Sequence, residues 1–284
     1  MKQSRSRPVS PKAYARLPES AVNRASVCLF TGLVLTMFAA RPAFAQGDEI
    51  QVYDAGLAAK GVFNLTWHNN FTPKGDAVPN FPGAVVADKS FNGVTEWAYG
   101  VNRWFEAGLY LPLYSWDKNL GFGYDGFKLR ALVAVPGADD RRFVYGLGFE
   151  LSFNAKRWDE TLTTSEFRPI VGWHFDRVDL IFNPILDTAY DGIKNLVFAP
   201  SMRLAYKVND ATQLALEEYA EYGPLKEFAP AGQQSHQLFG VLNRTIGKVD
   251  IETGIGFGLT GASDDVTMKF MVAYDFNKPR AVTK

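Results

Sequence analysis

The side chains best equipped for chemistry in this 284-residue chain are charged groups set at alternate positions within otherwise apolar stretches. Lys128 and Arg130 are two apart, as are Glu166 and Arg168, and Glu217, Tyr219 and Glu221; Glu150, Arg203, Glu252 and Lys269 sit in similar contexts. Residues two apart share one face of a β-strand, so each set projects into a common space. Charges gathered away from water either neutralise one another as a packed polar network or line a passage and select what crosses it. Arg130, Glu150 and Arg168 fall on consecutive segments, which predicts a cross-strand ladder of opposite charges. Tyr110 and Tyr219 point the same way and are the candidates for stacking on an aromatic solute.

Other chemistries have thinner support. His68, His174 and His236 are the three histidines. Ser235-His236 and His68 fall toward what should be the outer rim, the place for a serine–histidine hydrolase working on lipid. Neighbouring residues on a strand face opposite ways, however, so His236 is badly placed to activate Ser235. The histidines lie on separate segments without ligand spacing, and no metal site is expected. Cys28 is the one cysteine and sits in an N-terminal apolar run, which leaves the mature chain without a thiol nucleophile or disulfide. The Gly-x-Gly-x-Gly of residues 254–258 opens no helix, so it is no dinucleotide fingerprint. Neither a catalytic residue nor a cofactor is expected.

Such faces require strands to position them. Residues 266–276 alternate apolar with mostly polar residues and finish on Tyr274 and Phe276, as a strand does between lipid and a polar lumen. Twelve such segments are expected, near 60–71, 91–100, 104–115, 123–135, 142–154, 164–175, 177–187, 195–207, 211–223, 235–245, 248–260 and 265–276. A tilted strand crosses a bilayer in about 9–11 residues. The lipid-facing sets include Phe105, Ala107, Leu109, Leu111 and Leu113 on the third segment, and Phe143, Tyr145, Leu147 and Phe149 on the fifth. Short connections such as Asn209-Asp210 and Gly247-Lys248 alternate with longer ones such as residues 72–90. The fold expected is therefore all-β: one transmembrane antiparallel barrel of twelve strands over residues 59–276, with short periplasmic turns and longer extracellular loops.

Glycine and proline refine this barrel. Inward glycines at 146, 148, 254, 256 and 258 make room for long side chains crossing the lumen, or for a plug formed by residues 46–58. Pro112, Pro169, Pro184 and Pro200 fall inside strands, where proline cannot donate to the ladder. Bulges or displaced strand ends account for them. Pro169, Pro184 and Pro200 also cluster at mid-height on consecutive strands, the makings of a side opening for an apolar solute. Trp67, Trp97, Tyr99, Trp104, Tyr114, Trp116, Trp173 and Tyr274 suit interfacial girdles.

The chain opens with a basic region, an apolar run from Val27 to Ala40 and Ala43-Phe44-Ala45, which together read as a signal peptide cleaved near Ala45. Residues 1–45 carry seven of the 30 basic and one of the 30 acidic residues, leaving the remainder about six charges negative. That balance argues against a nucleic-acid partner. Residues 46–58 form a periplasmic or plug segment, and residues 277–284 a tail beyond the terminal aromatic.

Several stretches resemble a known family. Residues 49–53 (Glu-Ile-Gln-Val-Tyr), 167–170 (Phe-Arg-Pro-Ile), 182–185 (Phe-Asn-Pro-Ile) and 254–260 (Gly-Ile-Gly-Phe-Gly-Leu-Thr) look like segments of proteobacterial outer-membrane barrels similar to the family named for the phenol-degradation meta-pathway. The resemblance spans the mature chain and rests on structural glycine, proline and aromatic positions. It implies a transporter in the Gram-negative outer membrane and transfers no ligand or catalytic residues. The expected function is passive passage of a small solute, aromatic or moderately apolar. Its partners would be outer-membrane lipid, the barrel-assembly machinery and the solute itself. A surface lipid hydrolase and a closed barrel with a structural or adhesive role are the alternatives.

Overall fold

The computed structural model describes Gly47 and residues 49–277. The signal-peptide reading, and the tail beyond Asn277, concern residues outside that range.

Twelve wall strands follow one another around a closed sheet. They are β1 (Phe63–Lys74), β2 (Ser90–Gly100), β3 (Phe105–Asp117), β4 (Gly121–Ala134), β5 (Phe143–Asn154) and β6 (Thr163–His174). Three strands are interrupted: β7 (Val178–Asn183, then Leu186–Thr188), β8 (Val197–Phe198, then Ser201–Asn209) and β9 (Thr212–Glu221, then Gly223–Pro224). β10 (Ser235–Ile246), β11 (Val249–Gly258) and β12 (Val266–Asp275) complete the set. Each strand pairs antiparallel with the next, and β12 returns to β1 with Asn64 opposite Asp275. Closure leaves no sheet edge, which is the condition for strands to cross a layer that offers no hydrogen bonds. No α-helix occurs among the described residues. The connection from β1 to β2 is long, whereas β8 to β9 and β10 to β11 are tight turns.

Alternation decides which side chains go where. On β5, Phe143, Tyr145 and Leu147 face out and are exposed, whereas Val144, Glu150 and Ser152 between them are buried. Aromatic contacts ring the turn end of the wall, with Phe63 on Tyr99 (4.5 Å), Phe143 on Trp173 (5.5 Å) and Tyr274 on Phe276 (5.2 Å). An apolar exterior with aromatic borders and a charged interior is what lipid outside and polar contents inside require.

Among the places where the regular pattern breaks, proline marks two. In β3 the register slips between Tyr110 and Leu113 against β4, and between Val94 and Glu96 on the side facing β2. The extra residue reverses the alternation. Leu113, expected to face lipid, is therefore buried, and Pro112 is exposed instead.

The second break is wider. Pro169 lies opposite Leu147 of β5 in an unbroken ladder. On its other flank, β6 pairs with β7 only through residues 165–167 and 171–174, so Arg168, Pro169 and Ile170 have no ladder partner there. Pro184 and Ile185 separate the two parts of β7, and Ala199 and Pro200 those of β8. One bond bridges the interval between β7 and β8, from the Ala199 amide to the Ile185 carbonyl (3.1 Å), while the Ile185 amide turns back to the Asn183 carbonyl of its own strand (3.0 Å).

Candidate functional site in the barrel lumen

The N-terminal segment runs inside the barrel. Val52, Tyr53 and Ala55 pack against Leu132, Ala134 and Val135 of β4 and its following turn, Val144 of β5, Ile170 of β6 and Ile181 of β7. Polar contacts hold its backbone from several strands. Asn183 accepts from the Tyr53 amide (2.8 Å) and donates to the Tyr53 carbonyl (2.9 Å). Arg168 donates to the Gln51 carbonyl (3.0 Å), Lys269 to the Ile50 carbonyl (3.1 Å), and the Ala58 amide to Glu106 (2.5 Å). Two of these wall residues, Arg168 and Asn183, border the interrupted region of β6 and β7. The segment thus bonds to the wall beside the place where the ladder is missing.

Tyr53 sits at the centre of the lumen. Arg168 lies over one side of its ring at 4.2 Å and Arg130 at 5.3 Å. Its hydroxyl meets the Tyr110 hydroxyl at 2.5 Å and donates to Glu150 at 3.2 Å. This crosspiece of one aromatic ring in contact with two guanidinium groups is held by charge and quadrupole together.

Two charge networks flank it. On the β2–β6 side, Arg130 binds Glu96 (2.6 Å) and Glu106, Arg168 grips both oxygens of Glu166 (2.5 and 3.0 Å), and Lys128 reaches Glu150 at 3.5 Å. On the β8–β12 side, Lys269 joins Glu217 (2.5 Å) and Glu252 (2.6 Å), while Arg203 joins Glu217, Asn243 and Gln213. Tyr219 donates to Glu217 (2.6 Å) and packs edge-on against Phe239. The structure therefore brings the expected inward residues into two groups, with Glu221 buried nearby.

The expected ladder of Arg130, Glu150 and Arg168 does not form. Arg130 stands opposite Glu150 in register, yet its guanidinium turns to Glu106 and Glu96 on the other flank. Glu150 stands opposite Glu166, not Arg168. Long side chains choose partners across the lumen as well as along the pleat, which a register argument alone overlooks. Glu49, Glu96 and Asn183 are site residues that the sequence reading missed. Glu96 alternates correctly for an inward position on β2. Nothing local marks Asn183 or Glu49 as lumen partners.

The inward glycines serve the wall side chains. A Cβ at Gly148 would meet Arg168, at Gly254 Val241 and Lys269, and at Gly256 the Phe239 ring. None of the nearest atoms belongs to the N-terminal segment, so that segment and the glycine faces are separate features of the lumen.

Open space lies on both sides of the Tyr53 crosspiece. Toward the long loops is a cavity of about 340 Å³, lined by Glu150, Asp159, Glu166, Asp187 and Asp191 against only Lys128 and Lys226. A second, of about 140 Å³, lies under residues 76–90 and beside Trp158. Toward the turns, a space of about 240 Å³ is bounded by residues 55–60 and the loop after β4. None of these three is lined from both ends of the barrel. In the loops, burial pushes the Asp159 and Asp264 carboxyls above the usual aspartate range, with neighbouring acids adding to it. Lys118 draws Asp88 below that range.

One of the histidines is placed differently from expectation. His68 is not at the rim but buried within the wall, its Nε2 3.0 Å from Glu96. His236 does lie near a strand end, where its ring meets Glu218 (3.1 Å) and Gln234 (3.4 Å), while Ser235 turns to Ser263. His174 meets Asp179 at 2.7 Å. None of these ring contacts involves a serine.

The closed twelve-strand wall is similar to a COG4313 outer membrane channel from Pseudomonas putida F1, with 13% identity, a TM-score of 0.55, and coverage of 80% of this chain and 100% of that one. The chain has the fold of an outer-membrane β-barrel. Weaker likenesses include the translocator domain of the autotransporter NalP from Neisseria meningitidis (12% identity, TM-score 0.43, 90% and 98% covered). LpxR from Salmonella typhimurium is another (7% identity, TM-score 0.39, 75% and 100% covered). Neither bears on function. No family model matches the sequence, and no curated protein matches it.

Proposed function

We propose that this barrel sits in the outer membrane and lets a small, moderately apolar solute, aromatic compounds included, cross passively under control of its N-terminal segment. One observation carries the reading: the segment runs through the lumen and bonds to Arg168 and Asn183 beside the stretch where β6 and β7 lack their ladder. A solute entering between the loops reaches the acidic cavity above the crosspiece. Movement of the segment opens a way out, through the lumen or sideways between Pro169, Pro184 and Pro200. The residues lining the route are Lys128, Arg130, Glu150, Glu166, Arg168, Arg203, Glu217 and Lys269, with Tyr110 and Tyr219 as stacking surfaces. The excess of carboxylates around the outer cavity disfavours anions. The likeness to an outer membrane channel supports this reading through its fold alone. The phenol-degradation family resemblance supplies the expectation of an aromatic cargo.

The hydrolase alternative needs a histidine beside a nucleophile, and His236 instead faces Glu218 and Gln234. The adhesive alternative needs an outstretched loop, whereas residues 75–89 fold back and bury Ala84 and Val86. The test is flux of a neutral aromatic alcohol into liposomes. Wild type should exceed empty vesicles, and removal of residues 49–58 should increase flux further. Equal flux in protein-containing and empty liposomes would sink the proposal.

A further inference from the structure

Glu49 enters the lumen on the N-terminal segment as a buried charge without adequate compensation. Its side chain is 2% exposed, and neither carboxylate oxygen has a hydrogen-bond partner. Arg168 comes no nearer than 3.9 Å and is already engaged by Glu166 and the Gln51 carbonyl. Removing a carboxylate from water without replacing its hydrogen bonds is strongly unfavourable. The surroundings add to the imbalance. On this side of the lumen Glu49, Glu96, Glu106, Glu150 and Glu166 share three cations, whereas across it Arg203 and Lys269 match Glu217 and Glu252 one for one.

Two donors stand beside Glu49. The ligand atoms of Glu49, His68 and Glu96 all lie within 4.8 Å of one another, and all three residues are buried. The two oxygens of Glu96 are divided: Oε1 meets Arg130 at 2.6 Å, and Oε2 faces His68 Nε2 at 3.0 Å. One imidazole nitrogen and two carboxylate oxygens, each about 2.0–2.2 Å from a shared centre, form a three-ligand set that leaves a further position for water. The imidazole favours a first-row transition metal over magnesium or calcium, which take oxygen ligands.

We propose that Glu49, His68 and Glu96 bind a divalent transition-metal ion of the zinc or manganese type, which clamps the N-terminal segment to β1 and β2. The ion supplies the missing positive charge and replaces the His68–Glu96 contact with bonds from both residues to the metal. Glu49 is then tied to the wall through its side chain, where otherwise the segment is held mainly through its backbone and Tyr53. The clamp does not depend on what the barrel transports.

The full chain, folded in detergent and stripped with a chelator, is titrated with Zn²⁺, Mn²⁺ and Ca²⁺ by calorimetry, and hydrogen exchange is followed over residues 50–58. Wild type should bind one Zn²⁺ or Mn²⁺ per chain and no Ca²⁺ at the same concentration. Metal should slow exchange of the segment at least several-fold. Glu49→Gln and His68→Gln should each weaken binding ten-fold or more, while His236→Gln, which removes a half-buried histidine at a strand end away from the three ligands, leaves it unchanged. Gel mobility before and after heating verifies that each variant has folded. The proposal is overturned by a wild-type chain without a saturable site, or by metal that leaves exchange over residues 50–58 unchanged. It is equally overturned by binding that survives Glu49→Gln but disappears in His236→Gln. The wild-type readouts decide the matter even if a variant does not fold.

Discussion

Tyr53 is the side chain on which the closed lumen most depends, because it touches both arginines and two hydroxyl or carboxylate partners. Each cation–ring contact contributes about 0.5–2 kcal/mol when shielded from water. Tyr53→Ala should therefore raise single-channel conductance several-fold in planar bilayers. Tyr53→Phe keeps the ring in contact with Arg130 and Arg168 and should raise it less; equal effects of the two would show that the ring stacking is immaterial. Lys269 has a structural task instead. Its ammonium neutralises Glu217 and Glu252 together, with only Arg203 to share the work. Lys269→Met leaves a buried carboxylate without its cation, a loss of about 3–5 kcal/mol. The expected outcome is a lower denaturant midpoint in micelles, partly restored when Glu252→Gln is added.

At the scale of elements, prolines do two different things in strands that look alike. Pro112 accompanies a local bulge that shifts the alternation of β3 and then lets the ladder resume. Pro184 and Pro200 divide adjacent strands at the same height, next to the unpartnered flank of Pro169. Restoring backbone donors there separates the two routes proposed for the solute. Pro184→Val with Pro200→Val should reduce liposome uptake of an apolar aromatic while leaving ion conductance near wild type. A parallel loss of both would place all traffic in the lumen, and no change in either would remove the side route. The twelve strands themselves were legible from period and turn spacing, with ends within about three residues, since alternation is a local property. The reversal after Pro112 was not. A bulge depends on what the neighbouring strands accommodate, and Leu113 carries no mark of it.

The whole molecule presents an acidic cavity at its loop end, and residues 46–284 carry about six more acidic than basic residues. Cations should accordingly permeate better than anions, and the reversal potential under a potassium chloride gradient measures this directly. The loops also respond to pH. Asp264 accepts from the Asp76 amide at 3.0 Å and joins the loop of residues 75–89 to the connection between β11 and β12. Burial raises its carboxyl above the usual aspartate range, with Asp76, Asp265 and Asp88 adding repulsion. For a raised acid the folded form prefers the proton. The contribution to loop docking is therefore full below the ordinary aspartate value and is lost as pH rises through the higher value in the folded protein. At pH 7 Asp264→Asn should dock the loop more firmly than wild type, seen as slower hydrogen exchange over residues 76–88. The difference should vanish near pH 4.

The sequence by itself determined the closed all-β architecture and most of the charged residues that turn inward. Both follow from a two-residue period and the need to satisfy every backbone group, and neither requires knowledge of distant contacts. Only the tertiary structure decided the partners. Arg130 turns to Glu106 on the preceding strand, Asn183 holds Tyr53 from 130 residues away, and Glu49 arrives beside His68 and Glu96. These meetings depend on barrel curvature and on the path of a segment with no strand period of its own. Alternation therefore placed the charges in one lumen, and closure around the N-terminal segment determined what that lumen contains.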